Sequence, residues 1–340
     1  MRATVTIRDV ARLAEVHPGT VSRALNEQTR ALVNEETAER VLRVAGELGY
    51  RPNPIARGLK TNRSFTVGVV IPDLTNPLFP PIVRGIEDRL DEAGYTPLIV
   101  NTDNDPERER SHIEAMLARQ VDGLIAATAR LDVTLLAEAA ARGTPLVLVN
   151  RSLEDGSAAA VTVDDRRGIA LAVEHVAGLG HRLIGNVAGP QNVSTGHLRH
   201  LGFTEAIQAA GLRVDPGHVS YAVAFTEAEG ARACAEVLEH EPRVTAIVAA
   251  NDRLAMGCYD TLGRLGLTCP GDVSIVGFND MPFIDRLQPP LTSVRVPQRE
   301  IGSTAADLLL AQLSDGDSPP RQILLEPELV VRASTAPPRP

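Results

Sequence analysis

Over residues 6–49 apolar positions recur every three or four residues, the period of a helix with one buried face. Val10, Ala11 and Ala14 share a face in "IRDVARLA", with Thr6 and Asp9 spaced as a capping box. A turn at Glu15-Val16-His17 follows. A second helix opens on Pro18 and buries Val21 and Leu25. A third runs from an Asn34 cap to Gly49, with Val41, Ala45 and Leu48 inward and Glu36–Arg40 and Glu39–Arg43 at i,i+4 spacing.

From residue 65 the pattern changes. Short β-branched runs alternate with amphipathic helices, which predicts parallel, doubly wound sheets. One series runs from "FTVGVVIPD" through "TPLIV" and "DGLIAAT" to "TPLVLVN". A second runs from "AVTV" through "RLIGNVAG", "HVSYA" and "TAIVAAN" to "DVSIVGF". "PPLTSVRVP" and "RQILLEPELVVR" are expected to cross back and complete the sheets. The fold expected is a small all-α helix-turn-helix head plus an α/β core of two doubly wound parallel-sheet lobes. The boundaries are 1–51 for the head, 52–64 for a hinge and linker, and 65–340 for the core.

Charge sharpens this division. The 340-residue chain has net charge −9, but residues 1–64 carry net +4 and the remainder net −13. A basic head on an acidic body points to a polyanionic partner for the head alone. Lys60 is the only lysine and stands in neither a phosphate-binding loop nor a Schiff-base context. Cys234, Cys258 and Cys269 are scattered and suit a reducing cytoplasm. No apolar run reaches the length of a membrane span, and the first residues lack the pattern of a signal peptide.

Thr20, Ser22, Arg23 and Asn26 lie along the outward side of the second helix, with Gly19 at its start. In a helix-turn-helix that helix enters the major groove, where an arginine can pair with guanine. A plain three-helix bundle with a polar surface would leave the charge asymmetry unexplained. In "RPNPIARGLKTNRS", Asn53 can cap a short helix carrying Ile55, Ala56 and Leu59 between Arg57 and Lys60. It is a linker, or one of a pair of hinge helices that push Leu59 into a minor-groove step.

The run from Thr6 to Lys60 resembles the DNA-binding head of the LacI family of bacterial transcription regulators. The match rests on Thr6, Asp9, Val10, Ala11, Ala14, Val16, Thr20, Val21, Ser22, Arg23, Leu25 and Asn26, then on Tyr50, Pro52, Asn53, Ala56, Arg57 and Leu59. It departs at His17, where the family usually has a serine cap. An imidazole accepts from a helix amide only when neutral. The core resembles the family's periplasmic-binding-protein-like domain in "VGVVIPDLTNPLFPPIVRGIE", "AANDRLAMG" and "DVSIVGFND".

In doubly wound folds a ligand lies beyond the carboxyl ends of strands, here between the lobes. That rule selects Asp73, Asn76, Phe79, Asn150 and Arg151 from the first lobe. From the second it selects Thr195, Arg199, Phe225, Asn251, Asp252, Asn279 and Asp280. The resemblance puts Phe79, Arg151, Thr195, Arg199, Phe225 and Asn279 at effector-contacting positions. Asn279 stands where the family often has Asp, and with two arginines this leans toward an anionic or hydroxyl-rich effector. Asp252 and Asn251 are equally suited to cap the following helix. Phe79 and Phe225 also suit a core, and Arg199 an ion pair. His197 and His200 are three residues apart without a third ligand, so no metal site and no cofactor is expected.

The resemblance therefore implies a cytoplasmic, sequence-specific regulator, most simply a repressor. Its partners would be a near-palindromic operator, a small-molecule effector and a second copy of the chain. A constitutive DNA binder would have a collapsed apolar pocket, at odds with the polar strand ends. An enzyme lacks support, since no nucleophile elbow, dinucleotide fingerprint or zinc-protease motif is present.

Overall fold

The computed structural model describes residues 5–50, 63–128, 130, 135–153, 155–213, 215–315 and 319–339. The chain divides into two compact units between Ser64 and Phe65. The hinge residues Asn53, Ala56, Arg57, Leu59 and Lys60 lie outside the described residues.

In the first unit α1 (Ile7–Leu13), α2 (Pro18–Leu25) and α4 (Glu35–Glu47) enclose Val10, Ala11, Ala14, Val21, Ala24, Val41 and Ala45. A single turn, α3 (Glu27–Arg30), lies between α2 and α4. Asp9 binds the Thr6 amide at 3.0 Å and its hydroxyl at 2.7 Å, so the start of α1 is as spaced. Asn34 accepts from the Glu36 amide at 3.0 Å, and Gly49 at φ +63° ends the helix as the pattern predicts. Two expectations change. Ala24, not Leu25, takes the buried place on α2, and Leu25 packs at the margin. No ion pair joins Glu36 to Arg40 or Glu39 to Arg43 among the described residues. Arg40 instead donates from Nε to the Ala14 carbonyl at 3.1 Å, tying α4 to the end of α1.

The second unit holds two sheets of six strands each. The first orders β2 (Thr96–Asn101), β1 (Thr66–Ile71), β3 (Gly123–Ala126), β4 (Leu146–Val149), β5 (Ala159–Val163) and β11 (Gln322–Leu325), all parallel. The second orders β7 (Val219–Tyr221), β6 (Ile184–Ala188), β8 (Ala246–Ala249), β9 (Ser274–Asn279), β10 (Thr292–Arg295) and β12 (Glu328–Val330). Only β12 in that sheet is antiparallel. Central strands are buried on both faces, which is why they read as unbroken apolar runs.

Helices α5 (Phe79–Glu92), α6 (Pro106–Ala118), α7 (Leu135–Ala141) and α12 (Gln298–Asp315) flank the first sheet. Helices α8 (Asp165–Gly178), α9 (Ser194–Ala209), α10 (Glu227–His240) and α11 (Asp252–Leu265) flank the second. The "AVTV" run does not open the second series: it is β5, which closes the first sheet between β4 and β11. Strand–helix alternation fixes that a buried strand exists there, not which sheet receives it. The chain crosses between lobes after β5, after β10 and between β11 and β12.

Candidate functional site

On the head, α2 turns Val21 and Ala24 inward, which leaves Ser22 and Arg23 exposed on the other side, with Thr6 exposed at the start of α1. Gly19, Thr20, Asn26 and Tyr50 are half-buried. The start of α2 is capped by His17, whose Nδ1 accepts from the Gly19 amide at 3.1 Å. A methyl group at position 19 would stand only 3.1 Å from that nitrogen, so glycine keeps the cap close.

Between the lobes of the second unit lies a cleft of about 390 Å³. Its wall brings together Asp73, Asn76, Phe79 and Arg151 from the first lobe with Phe225 from the second, as the strand-end rule expects. Asn76 opens the turn into α5, its Oδ1 accepting from the Leu78 amide at 3.1 Å. The Phe225 ring is seated on Gly189, where an added Cβ would come within 2.6 Å of the ring. Asn150 and Arg151 follow β4. Asn150 is held at φ +63° and its buried Oδ1 has no partner among the described residues.

Thr195, Arg199, Asn251, Asp252 and Asn279 are not on this wall. They are buried within the second lobe. Arg199 donates from Nε to Asp165 at 2.6 Å and from NH1 to the Ala250 carbonyl at 2.8 Å, and its guanidinium lies 3.7 Å above the Phe278 ring. The pair is buried rather than a surface contact. Burial pushes the Asp165 carboxyl up, while Arg199 pulls it down. The helix cap is Asn251, which accepts from the Leu254 amide at 2.9 Å. Asp252, one residue on, reaches across to the Met281 amide at 2.8 Å and the Ser293 hydroxyl at 2.5 Å. Burial pushes its carboxyl up to about 7. Asn279 ends β9 at φ +115°, its carbonyl accepting from Gln298 at 2.8 Å and its Oδ1 buried without a partner among the described residues. Asp280 is bound by Arg295 and Arg332 rather than turned to the cleft. His200 is occupied by Tyr221 and Asn186.

Sequence reasoning missed Thr102, Asp103, Thr128, Arg130 and Glu109 on the wall. The first four follow β2 and β3, so the same strand-end rule reaches them. Glu109 sits inside α6, where no strand end marks it. Its carboxylate accepts from the Thr128 hydroxyl at 2.5 Å, and burial raises its pKa. Arg253 was missed as well. It donates to Asp73 of the first lobe at 3.0 Å while holding Glu227 with two further contacts.

The chain is similar to known regulators over nearly all its length. Residues 6–53 match the family described as bacterial regulatory proteins, lacI family, and residues 173–335 match the periplasmic binding protein-like domain. The HTH-type transcriptional repressor CytR of Escherichia coli strain K12 is 33% identical over 330 residues, covering 97% of this chain and 96% of that protein. The chain belongs to the LacI family. Among solved structures, a lac repressor dimer bound to operator and the anti-inducer ONPF aligns with a TM-score of 0.86 at 29% identity. That alignment covers 98% of this chain and 100% of the other. A complex of the transcriptional regulator CelR with cellobiose aligns with a TM-score of 0.75 at 31% identity, over 97% and 99%. This LacI-family protein is therefore a DNA-binding transcriptional regulator and not an enzyme. Among the described residues, no helix is long and apolar enough to cross a membrane.

Proposed function

We propose that this LacI-family regulator is a homodimeric, cytoplasmic repressor whose operator affinity is set by a small molecule held between the lobes. The effector is a sugar, a sugar acid or a related metabolite. The observation that carries this reading is the cleft itself. It is of ligand size, it presents Phe79 and Phe225 as apolar faces, and it keeps unpartnered polar groups at its edge. Asn76, Phe79, Arg151 and Phe225 contact the effector. Thr195, Arg199, Asn251, Asp252 and Asn279 act from within the second lobe by holding the strand ends in place.

Two heads related by a two-fold axis read a near-palindromic operator. Thr6, Gly19, Thr20, Ser22, Arg23, Asn26 and Tyr50 serve the head contact, and Asn53, Ala56, Arg57, Leu59 and Lys60 serve the hinge. Arg23 and the other exposed α2 groups supply base and phosphate contacts. An effector changes operator affinity only by binding one lobe arrangement better than another.

Two measurements test this. Melting temperature is followed against sugars, sugar acids, sugar phosphates and purines, and the compound that raises it is then added to operator-bound protein. A stabilising compound that leaves operator affinity unchanged would refute effector control. In the second, Leu59→Ala is expected to lose specific operator affinity while salt-sensitive, non-specific binding survives. Equal loss of both would remove the wedge role of Leu59.

A further inference from the structure

Arg151 and Arg199, the two arginines buried among the described residues, differ in one respect. Arg199 is fully engaged by Asp165, by the Ala250 carbonyl and by the Phe278 ring. Arg151 is 7% exposed, lies on the cleft wall, and its Nε has no hydrogen-bond partner among the described residues. No carboxylate forms an ion pair with it among the described residues.

The carboxylates that share the cleft with Arg151 are already committed. Asp73 binds Arg253, Thr75 and the Thr75 amide. Asp103 binds Arg108 and Asn101. Glu109 receives the Thr128 hydroxyl, and it acts on Arg151 only through space. Arg130 adds a second positive charge to the same wall. Thr102, just after β2 and also on the wall, has a fully buried hydroxyl without a partner among the described residues. Burial lowers the Arg151 pKa to about 10, Glu109 opposes that, and Arg130 and Arg199 reinforce it.

A guanidinium in this setting carries donors matched to a planar or tetrahedral oxyanion, and a buried charge left unpaired is costly. A neutral ligand would fill the cleft but leave that guanidinium without a hydrogen-bonded counter-charge among the described residues. We infer that the cleft takes a ligand bearing an oxyanion, a carboxylate or a phosphate, docked on Arg151 with the Thr102 hydroxyl beside it. This rests on the reading of the cleft as the effector site. It names the chemistry by which that site selects.

The test uses the full-length protein and its Arg151→Gln and Arg151→Lys variants. Melting temperatures are taken in millimolar phosphate, acetate and chloride at matched pH and ionic strength. Phosphate or acetate is expected to raise the wild-type midpoint by roughly 2 °C or more over chloride. Arg151→Gln is expected to lose that response, and Arg151→Lys to keep only part of it, because a single ammonium cannot grip two oxygens at once. A response to phosphate alone points to a phosphorylated effector, and one to acetate alone to a sugar acid. Should Arg151→Gln fail to fold, Arg151→Lys carries the comparison. No anion-specific rise in the wild type, or an equal rise in the variants, overturns the inference. Neutral sugars are measured alongside. One that stabilises wild type and variants alike would leave the effector reading standing and remove the oxyanion. Silence from anions and sugars together would remove both.

Discussion

Arg253 of the second lobe donates from NH1 to the Asp73 carboxylate of the first across 3.0 Å. The contact is steadied because Glu227 grips the other two nitrogens of Arg253, at 2.8 and 2.9 Å. It joins the two lobes, so it favours their drawn-together arrangement. Asp73→Ala is expected to cost about 1 kcal/mol, the scale of a partly exposed pair. It should also increase the radius of gyration in X-ray scattering. The unaltered radius in the variant would show that the pair does not hold the lobes. Burial raises the Asp73 carboxyl, but hydrogen bonds from Thr75 and the charge of Arg253 outweigh it, and the pKa is lowered. The stabilisation is therefore present above the usual carboxylate range and is lost as pH falls below it.

The pair of Arg199 and Asp165 is of another kind, with side chains 3% and 2% exposed. Removing one partner leaves a buried charge alone, which typically costs about 3–5 kcal/mol. Asp165→Ala should lower the unfolding free energy by that order, whereas Asp165→Leu combined with Arg199→Leu should lose much less. Additive losses in the double variant would show that the two groups are not coupled.

Asp252 makes a pH prediction of opposite sign to Asp73. Its folded-state pKa of about 7 lies above the ordinary value of 3.8, so folding favours the protonated form. Its contribution is greatest at low pH and disappears as pH rises through about 7. Asp252→Asn stays neutral and can still offer Oδ1 to Met281 and its amide to Ser293. The stability of the variant relative to wild type should rise between pH 4 and 7, by at most about 4 kcal/mol. A difference that stays constant over this window would rule out titration of Asp252.

His17 caps α2 through a single lone pair. Serine is the stronger cap by common preference, and His17→Ala should lose about 1 kcal/mol that His17→Ser retains or exceeds. Hydrogen exchange at the Gly19 amide reads this directly. It should be faster in the alanine variant, and an unchanged rate would mean that the imidazole does not protect it.

Much of this was legible from the chain. Helical and strand periods located the elements of the head and core, because a stripe such as Val10, Ala11 and Ala14 has one way to be buried. Sheet membership was not legible at Ala159–Val163, since a strand buried on both faces carries the same pattern in either lobe. In the site, the rule of strand ends found Asn76, Phe79, Arg151 and Phe225 but could not tell wall from interior. Arg199 and Asn279 satisfy the rule as well as Arg151 does. What separates them is a long-range partner, Asp165 for Arg199, that no local spacing announces. Arg253 was hidden for the same reason: its contact with Asp73 joins residues 180 positions apart.

The three crossings between lobes also bear on how the chain is made. The first lobe begins at Thr66 but receives its last strand, Gln322–Leu325, only after the sheet of the second lobe has been almost wholly synthesised. Until then β5 is an open edge, and α12, which covers β3, β4 and β5, does not yet exist. During translation an incomplete first lobe must therefore wait with an unpaired strand exposed, a template for pairing with other chains. A truncation before residue 298 would remove both elements at once, and aggregation rather than a stable half-protein is its natural outcome.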